Sequence, residues 1–167
     1  MINTQNKLSH LDNEGQVRMV DISQKEISTR RAVASATISM TSNTLQMILD
    51  QKITKGNVFE TARIAGIMAA KKTSDFIPMC HPLNLSHIQI DFWVDYDQNS
   101  IHIKGIVSVD GKTGVEMEAL TAVSVSALTI YDMCKSMDRE MMISQIILEH
   151  KSGGKSGVFD RTKSVKT

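Results

Sequence analysis

Hydrophobic and polar residues alternate along several stretches of the chain, and this period of two predicts β-strands. The alternation is regular over residues 31–40, and it recurs over residues 86–96 and 101–109 on either side of the turn DQNS. A short turn between two alternating runs is typical of a β-hairpin. A further apolar stretch at residues 141–149 predicts a last strand.

Segments with a helical period lie between these strands. Residues 57–72 carry small residues at helical spacing, and Asn57 with Glu60 three positions later forms the pattern of a capping box. Residues 114–135 are almost uncharged except near their two ends, which predicts a buried helix. Residues 42–50 predict a short extra helix. The order strand, helix, strand, strand, helix, strand predicts an α+β fold, a ferredoxin-like βαββαβ subunit with an antiparallel sheet and extra N-terminal elements.

Length and composition place these elements in one domain. A chain of 167 residues with 41% hydrophobic residues can bury an adequate core. We predict a polar N-terminal arm at residues 1–15, a single ferredoxin-like domain at residues 16–151, and a flexible tail rich in glycine, serine and lysine at residues 152–167. Both faces of the hairpin carry apolar residues, Trp93 and Ile106 among them, and this favours a homo-oligomer.

Charge, aromatic content and cysteine usage exclude several functional classes. A formal net charge of +1 argues against a general nucleic-acid-binding protein, and 4% aromatic residues with no RNP-like string argue against RNA recognition on the sheet. No apolar run reaches the length of a membrane span without polar interruption. The two cysteines lie far apart in sequence, which favours free thiols in a reducing compartment, and we predict a cytoplasmic protein.

Charged residues flank the apolar helix at both ends. Asp132 and Lys135 are one turn apart and are therefore neighbours, either as a structural ion pair or as part of an active site. Glu116 and Glu118 lie at the other end. Because Glu118 and Asp132 are separated by about 21 Å along a helix, they are too far apart to serve one reacting centre within one chain. A twofold contact between antiparallel copies of this helix would bring Glu118 of one chain to Asp132 of the other.

The segment KKTSDFIPMCHPL predicts a loop with a rigid backbone. Pro78 and Pro82 bracket Met79, Cys80 and His81 and exclude a helix there. His81 could then donate to a ligand, although a rigid loop with a satisfied histidine is the simpler interpretation. Cys80 and His81 are adjacent and have no partners at zinc-like spacing, so we predict no metal site.

Lysines beside glycines form two further candidate sites. The segment HKSGGKSG at residues 150–157 is not a Walker loop, because Glu149 stands where that pattern needs glycine. Its backbone amides could still converge on an anion beside Lys151 and Lys155, with a flexible tail as an equal alternative. Lys55 lies just before the helix that begins near residue 57, where a lysine gains nothing from the helix dipole; it is either functional or an ordinary exposed lysine.

Four strings along the chain match one known family in order and spacing. They are VDISQKEISTRRAVA, KGNVFETARIAGIMAAKKTSDFIPMCHPL, GVEMEALTAVSVSALTIYDMCK and KSGGKSG. They closely resemble the cyclic pyranopterin monophosphate synthase family of molybdenum cofactor (molybdopterin) biosynthesis, over roughly residues 8–157. The resemblance implies a ferredoxin-like subunit that assembles into a homohexamer, a trimer of dimers with active sites at the dimer interface.

The resemblance also implies an activity and a set of site residues. The activity is that of a phosphorus–oxygen lyase, which converts 3′,8-cyclo-7,8-dihydro-GTP to cyclic pyranopterin monophosphate and diphosphate. The implied catalytic residues are Asp132, Lys55 and Lys135, and burial would lower a lysine pKa toward neutrality, where proton transfer is efficient. The implied substrate contacts are Met79, Cys80, His81, Glu116, Met117, Glu118, Lys151, Lys155 and Arg30.

The same resemblance sets expectations for cofactors and partners. Because the reaction moves protons and no electrons, we expect no cofactor, although magnesium could arrive with the triphosphate. The expected partners are a small nucleotide-derived substrate and further copies of this chain, with no nucleic acid and no membrane; a transient contact with the preceding radical enzyme is left open. The alternative function is a non-enzymatic ferredoxin-like oligomer that binds a small ligand, and such a protein would not release diphosphate.

Overall fold

The computed structural model describes residues 14–164, with side chains described as far as Thr162. One antiparallel sheet has the strand order β2-β3-β1-β4-β5. Its strands are β1 (Ser28–Ser39), β2 (His87–Asp95), β3 (Ser100–Gly111), β4 (Met142–Ser152) and β5 (Phe159–Asp160). The first four strands have the antiparallel order of a ferredoxin-like sheet, as predicted.

The two long helices cover one face of this sheet, and three shorter helices accompany them in the described part of the chain. The helices are α1 (Ser42–Leu49), α2 (Val58–Lys71), α3 (Thr73–Phe76), α4 (Glu116–Cys134) and α5 (Arg161–Ser164). The two long helices, α2 and α4, pack against each other, and α4 also packs across β1, β3 and β4. The Asn57 cap is confirmed, since its side chain accepts a hydrogen bond from the Glu60 N–H at 3.1 Å. The α+β ferredoxin-like class is therefore confirmed.

Small residues let the long helices and the sheet approach closely. A Cβ atom at Gly66 in α2 would lie 2.7 Å from the carbonyl oxygen of Ala122 in α4. A Cβ atom at Gly105 in β3 would lie 2.9 Å from a methyl group of Val123. Real Cβ atoms essentially never come within 3.0 Å of another heavy atom, so glycine is needed at both positions. Both contacts fix the middle of α4 against its neighbours.

The hydrophobic core lies between the sheet and the two long helices. Alternate residues of β1 and β3 point into it, and the apolar face of α4 closes it from above. The fully buried residues include Ala34, Ile38, Ile101, Ile103, Val107, Ala119, Val123, Ala127 and Ile130. Burial of the alternate residues of β1 and β3 confirms the alternation predicted from the sequence for these two strands.

The C-terminal part of the chain differs from the sequence prediction. The last core strand was expected to end at Glu149, but β4 continues to Ser152. Where only a flexible tail was expected, β5 pairs with β4 and α5 follows. A two-residue strand and a single helical turn are too short to give a hydrophobic period, which is why the sequence did not reveal them. Residues 1–13 of the predicted arm and residues 165–167 of the tail lie outside the described residues.

Candidate active site

Asp132 lies between two lysines at the C-terminal end of α4. Its Oδ1 atom is 2.7 Å from Nζ of Lys135, and its Oδ2 atom is 3.1 Å from Nζ of Lys55. Lys55 Nζ also donates to the backbone carbonyl of Asp132 at 2.7 Å. The expected contact between Asp132 and Lys135 is present. The structure adds Lys55 to it, although Lys55 is far away in sequence.

The turn between α1 and α2 brings Lys55 to this position. Ile53 is buried beneath the turn, and Gly56 has a φ angle of +104°, which favours glycine. The last carbonyl groups of a helix have no partner within the helix, and Lys55 satisfies one of them on α4. Lys55 therefore caps α4 and pairs with Asp132 at the same time.

These three charged groups are exposed in the single chain, which corrects the expectation of a buried cluster. The Asp132 side chain is 58% exposed. Hydrogen bonds from Lys135 and, to a smaller extent, Lys55 hold the pKa of Asp132 below its usual range. The pKa of Lys135 is raised, mainly by its hydrogen bond to Asp132. The expected lowering of a lysine pKa is therefore wrong for Lys135 in the isolated chain, because pairing outweighs burial there.

Glu118 gives the other end of α4 a different electrostatic character. Its side chain is only 4% exposed. The pKa of Glu118 is raised to about 7, mainly by burial and to a smaller extent by the negative charge of Glu116, while a hydrogen bond from its own backbone N–H opposes the rise. A carboxyl group with such a pKa can hold or release a proton near neutral pH.

Cys80, in the loop of residues 77–86, interacts electrostatically with this end of α4. Burial and then the charge of Glu118 raise the pKa of the Cys80 thiol, so the two side chains are close enough to interact. Met79 and His81, on either side of Cys80, are both partly buried. The predicted loop therefore brings Cys80 near enough to Glu118 for their charges to interact.

A cavity of about 220 Å³ with a basic lining opens beside the same turn. It is lined by Glu116 and by five cationic side chains, those of Lys25, Arg30, Arg31, Lys112 and Lys151. Backbone carbonyl groups hold Arg30 Nε at 2.9 Å and Lys112 Nζ at 2.6 Å. Cations gathered in one cavity and fixed in this way favour a phosphate or carboxylate ligand.

The glycine-rich segment after β4 belongs to this basic region. Gly153 and Gly154 have φ angles of +93° and +76°. A Cβ atom at Gly154 would lie 2.8 Å from the guanidinium carbon of Arg30, so glycine permits the close approach. Lys155 lines a neighbouring cavity of about 580 Å³, which Arg30 also borders. Lys151 and Lys155, predicted together from one segment, therefore line two neighbouring cavities that both include Arg30.

Three of the basic residues were missed from the sequence. Lys112 stands in the string GKTG directly before α4, and a lysine beside glycines at that position was an available signal. Arg31 reaches the cavity because β1 pairs with β4 in a register that puts it opposite Ser152, which no local pattern reveals. Lys25 comes from an irregular segment before β1 and carries no sequence signal.

The structure assembles the candidate residues into two groups at opposite ends of α4. The C-terminal group is Lys55, Asp132 and Lys135. The N-terminal group consists of the loop around His81, the first turn of α4 with Met117, and the basic cavity. Fourteen helical positions, about 21 Å, separate Glu118 from Asp132, so one chain alone does not unite the two groups.

The described part of the chain contains neither a cluster of metal ligands nor a membrane-spanning helix. Within residues 14–164, no group of three or more His, Cys, Asp and Glu side chains is arranged to hold a metal ion. Over the same residues, no helix is long and apolar enough to cross a membrane.

The raised pKa of Glu118 predicts how stability depends on pH. Between the unfolded pKa near 4.5 and the folded value of about 7, the folded protein retains a proton that the unfolded chain has released. The free energy of unfolding should therefore fall as pH rises through this window. From about pH 5 to pH 8, wild type should lose on the order of 2–3 kcal/mol more than Glu118→Gln, measured by chemical denaturation at one chain concentration. Glu140→Gln, at an exposed carboxylate, is the control and should follow wild type; equal slopes for wild type and Glu118→Gln would contradict the assignment.

This chain is similar to known proteins along most of its length. The MoaC family matches residues 19–154. The cyclic pyranopterin monophosphate synthase of Desulfatibacillum aliphaticivorans is 62% identical over 151 residues, which are 90% of this chain and 95% of that protein. The enzyme of the same name from Desulforapulum autotrophicum is 59% identical, covering 90% and 93% of the two chains, and that from Chloroflexus aurantiacus is 51% identical, covering 98% and 100%. The chain therefore belongs to the MoaC family.

Proposed function

We propose that this protein is a cyclic pyranopterin monophosphate synthase of molybdenum cofactor biosynthesis. It is a lyase that converts 3′,8-cyclo-7,8-dihydro-GTP to cyclic pyranopterin monophosphate and diphosphate. The observation that carries the proposal is 51–62% identity over at least 90% of the chain to relatives of that name. The alternative, a non-enzymatic ligand-binding oligomer, has no observation in its favour.

The basic cavity suits the triphosphate of this substrate. Lys112 and Arg30 are anchored by backbone carbonyls, so their positive charges are in place before a ligand arrives. Fixed cations stabilise the negative charge that develops on a departing diphosphate without a large reorganisation. We assign this role to the five cations of the cavity together with Lys155.

The cluster of Lys55, Asp132 and Lys135 suits the proton transfers. The raised pKa of Lys135 keeps its ammonium group protonated at neutral pH, so it is an acid when the substrate arrives. Asp132 is ionised and holds both ammonium groups within 3.1 Å of its oxygens. Asp132 thereby orients the two donors and can receive a proton. The rearrangement moves no electrons, so we propose no redox cofactor, and magnesium would enter only with the triphosphate.

A second copy of the chain would complete the site. The outer faces of α2 and α4 carry apolar side chains that are largely exposed in the single chain; these are Ile64, Met68, Met117 and Leu128. Glu118, Val125 and Asp132 are seven residues apart and follow one line along α4. An antiparallel copy of α4 would place Glu118 against the partner chain's Asp132 cluster and would cover these apolar residues.

The resemblance to the family also supports proposals for the larger assembly and the location. We propose a homohexamer built as a trimer of such dimers, which needs a second interface. The open face of the sheet, where Trp93 is 47% exposed and stacks on His102, is available for it. Free thiols at Cys80 and Cys134 agree with a cytoplasmic enzyme. A transient contact with the preceding radical enzyme stays a prediction.

Asp132→Asn tests the catalytic assignment. The change keeps the shape of the side chain but removes the charge that orients Lys55 and Lys135, so kcat for diphosphate release should fall on the order of a hundredfold or more. Asp50→Asn is the matched control, because Asp50 forms a comparable exposed ion pair with Lys52 at 2.8 Å. The control should keep wild-type kcat. A folded Asp132→Asn protein with normal turnover would remove Asp132 from the mechanism.

Coexpression of Glu118→Gln with Asp132→Asn tests the shared site. If each variant is inactive alone, a mixed dimer contains one site with both wild-type groups, and random assortment restores roughly a quarter of normal activity. The control pair, Asp132→Asn with Lys135→Ala, places both changes in the same group and should restore nothing. Mixed oligomers with no recovery in the first pair would place the whole site within one subunit.

A further inference from the structure

Asp138 is a buried carboxylate close to the catalytic cluster that the proposed chemistry does not use. It lies three positions after Lys135, and its side chain is 5% exposed. Burying a charged carboxylate is costly unless hydrogen bonds replace its water. The bonds are present: Oδ2 accepts from the backbone N–H of Thr41 at 2.8 Å, and Oδ1 accepts from the backbone N–H of Glu140 at 3.1 Å. The Thr41 bond is the main cause of its lowered pKa.

These hydrogen bonds join two elements that are far apart in sequence. Asp138 belongs to the turn that ends α4, where its own N–H and that of Met137 close on the carbonyl of Cys134. Thr41 is the N-cap of α1. Because α1 leads directly into the turn that carries Lys55, Asp138 ties the chain that supplies Lys55 to the end of α4.

The charges of Asp138 and Lys55 both affect the pKa of one buried thiol, that of Cys134. Cys134 is completely buried at the end of α4. The pKa of its thiol is raised to about 11, mainly by burial and also by the charge of Asp138, while the charge of Lys55 opposes the rise. Both charges therefore reach one buried atom, and Cys134 lies near both of them.

Lys55 needs such a support, because its own contacts are made at the surface. The Lys55 side chain is 45% exposed, and its two bonds to Asp132 are open to water. A long exposed side chain has several rotamers, so its position depends on how firmly its backbone is held. Asp138 joins the two backbone segments that carry this cluster, the start of α1 and the end of α4.

We propose that Asp138 is a positioning residue, which sets the place of Lys55 relative to Asp132 and Lys135 by holding the start of α1 against the end of α4. The inference rests on the proposed function and deepens it. Asp138 itself touches no reacting group. Asp138 acts by fixing the distance between Lys55 and the pair formed by Asp132 and Lys135.

Asp138→Asn tests the proposal directly. Both carboxylate oxygens accept from backbone N–H groups, whereas an amide offers one oxygen, so one bond must be lost. A small misplacement of a catalytic group can cost up to a hundredfold in rate, and we expect kcat to fall on the order of tenfold or more. KM should change by less than about twofold, because the hydrogen bonds of Asp138 hold the start of α1 and the end of α4 and not the cations of the basic cavity. Ser126→Ala, which removes a buried hydrogen bond to Ala62 in the middle of α4, should keep wild-type kcat.

Thr41 supplies a second pair of variants in case Asp138→Asn does not fold. Thr41→Pro removes the N–H that Asp138 accepts, and the φ angle of −68° suits proline. Thr41→Val removes the hydroxyl, which caps α1 and makes the smaller contribution to Asp138, but keeps the N–H that makes the main bond, so it is the matched control. Thr41→Pro should lower kcat as Asp138→Asn does, and Thr41→Val should lower it much less. Equal kcat in these two variants would overturn the proposal.

Combination with Lys55→Ala separates positioning from general destabilisation. If Asp138 acts through Lys55, adding Asp138→Asn or Thr41→Pro to Lys55→Ala lowers kcat by less than about twofold. If the two effects multiply, Asp138 acts independently of Lys55 and the proposal is wrong. Full activity of Lys55→Ala alone would instead contradict the catalytic role of Lys55 in the proposed function, so the two failures can be told apart.

Discussion

The packing of α4 against the sheet and α2 fixes the distance between the two groups of candidate residues at its ends. Gly66 and Gly105 let neighbouring backbone and side chains approach α4 so closely that a Cβ atom at either position would clash. A helix held in this way cannot slide or rotate without breaking core contacts. Its length then determines the distance between the groups at its two ends, about 21 Å from Glu118 to Asp132. A reaction that needs both ends therefore needs two chains.

The carboxylates at the two ends of α4 differ in burial and in the direction of their pKa shifts. At the first turn, Glu118 is buried, and its pKa rises toward neutrality. At the last turn, Asp132 is exposed and paired with two lysines, so its pKa falls. Contact with a partner chain would remove water from the exposed cluster and strengthen its electrostatic interactions. The lysine pKa lowering expected from the sequence is a property of a desolvated site, and the isolated chain does not desolvate this cluster.

The features that the sequence predicted well are those controlled by local periodicity. The alternating stripes of β1 and β3, the Asn57 cap and the apolar α4 each follow from residues close together in the chain. Contacts between distant segments could not be predicted in this way: Lys55 meets Asp132 across 77 positions, and Arg31 reaches the basic cavity through strand register. The site residues were predicted from the resemblance to a family. Only the structure shows that they form two groups at opposite ends of α4.

A disulfide cross-link measures most directly whether two chains share the site. Val125 lies midway between Glu118 and Asp132 on α4, so an antiparallel twofold contact brings Val125 against its own copy. Val125→Cys in a Cys80→Ser background should form a disulfide-linked dimer under mild oxidation, since such a bond needs Cα atoms within about 7 Å. Gln98→Cys, at the exposed hairpin turn, is the control and should link much less. An oligomer in which Val125→Cys stays unlinked would contradict the shared-site account.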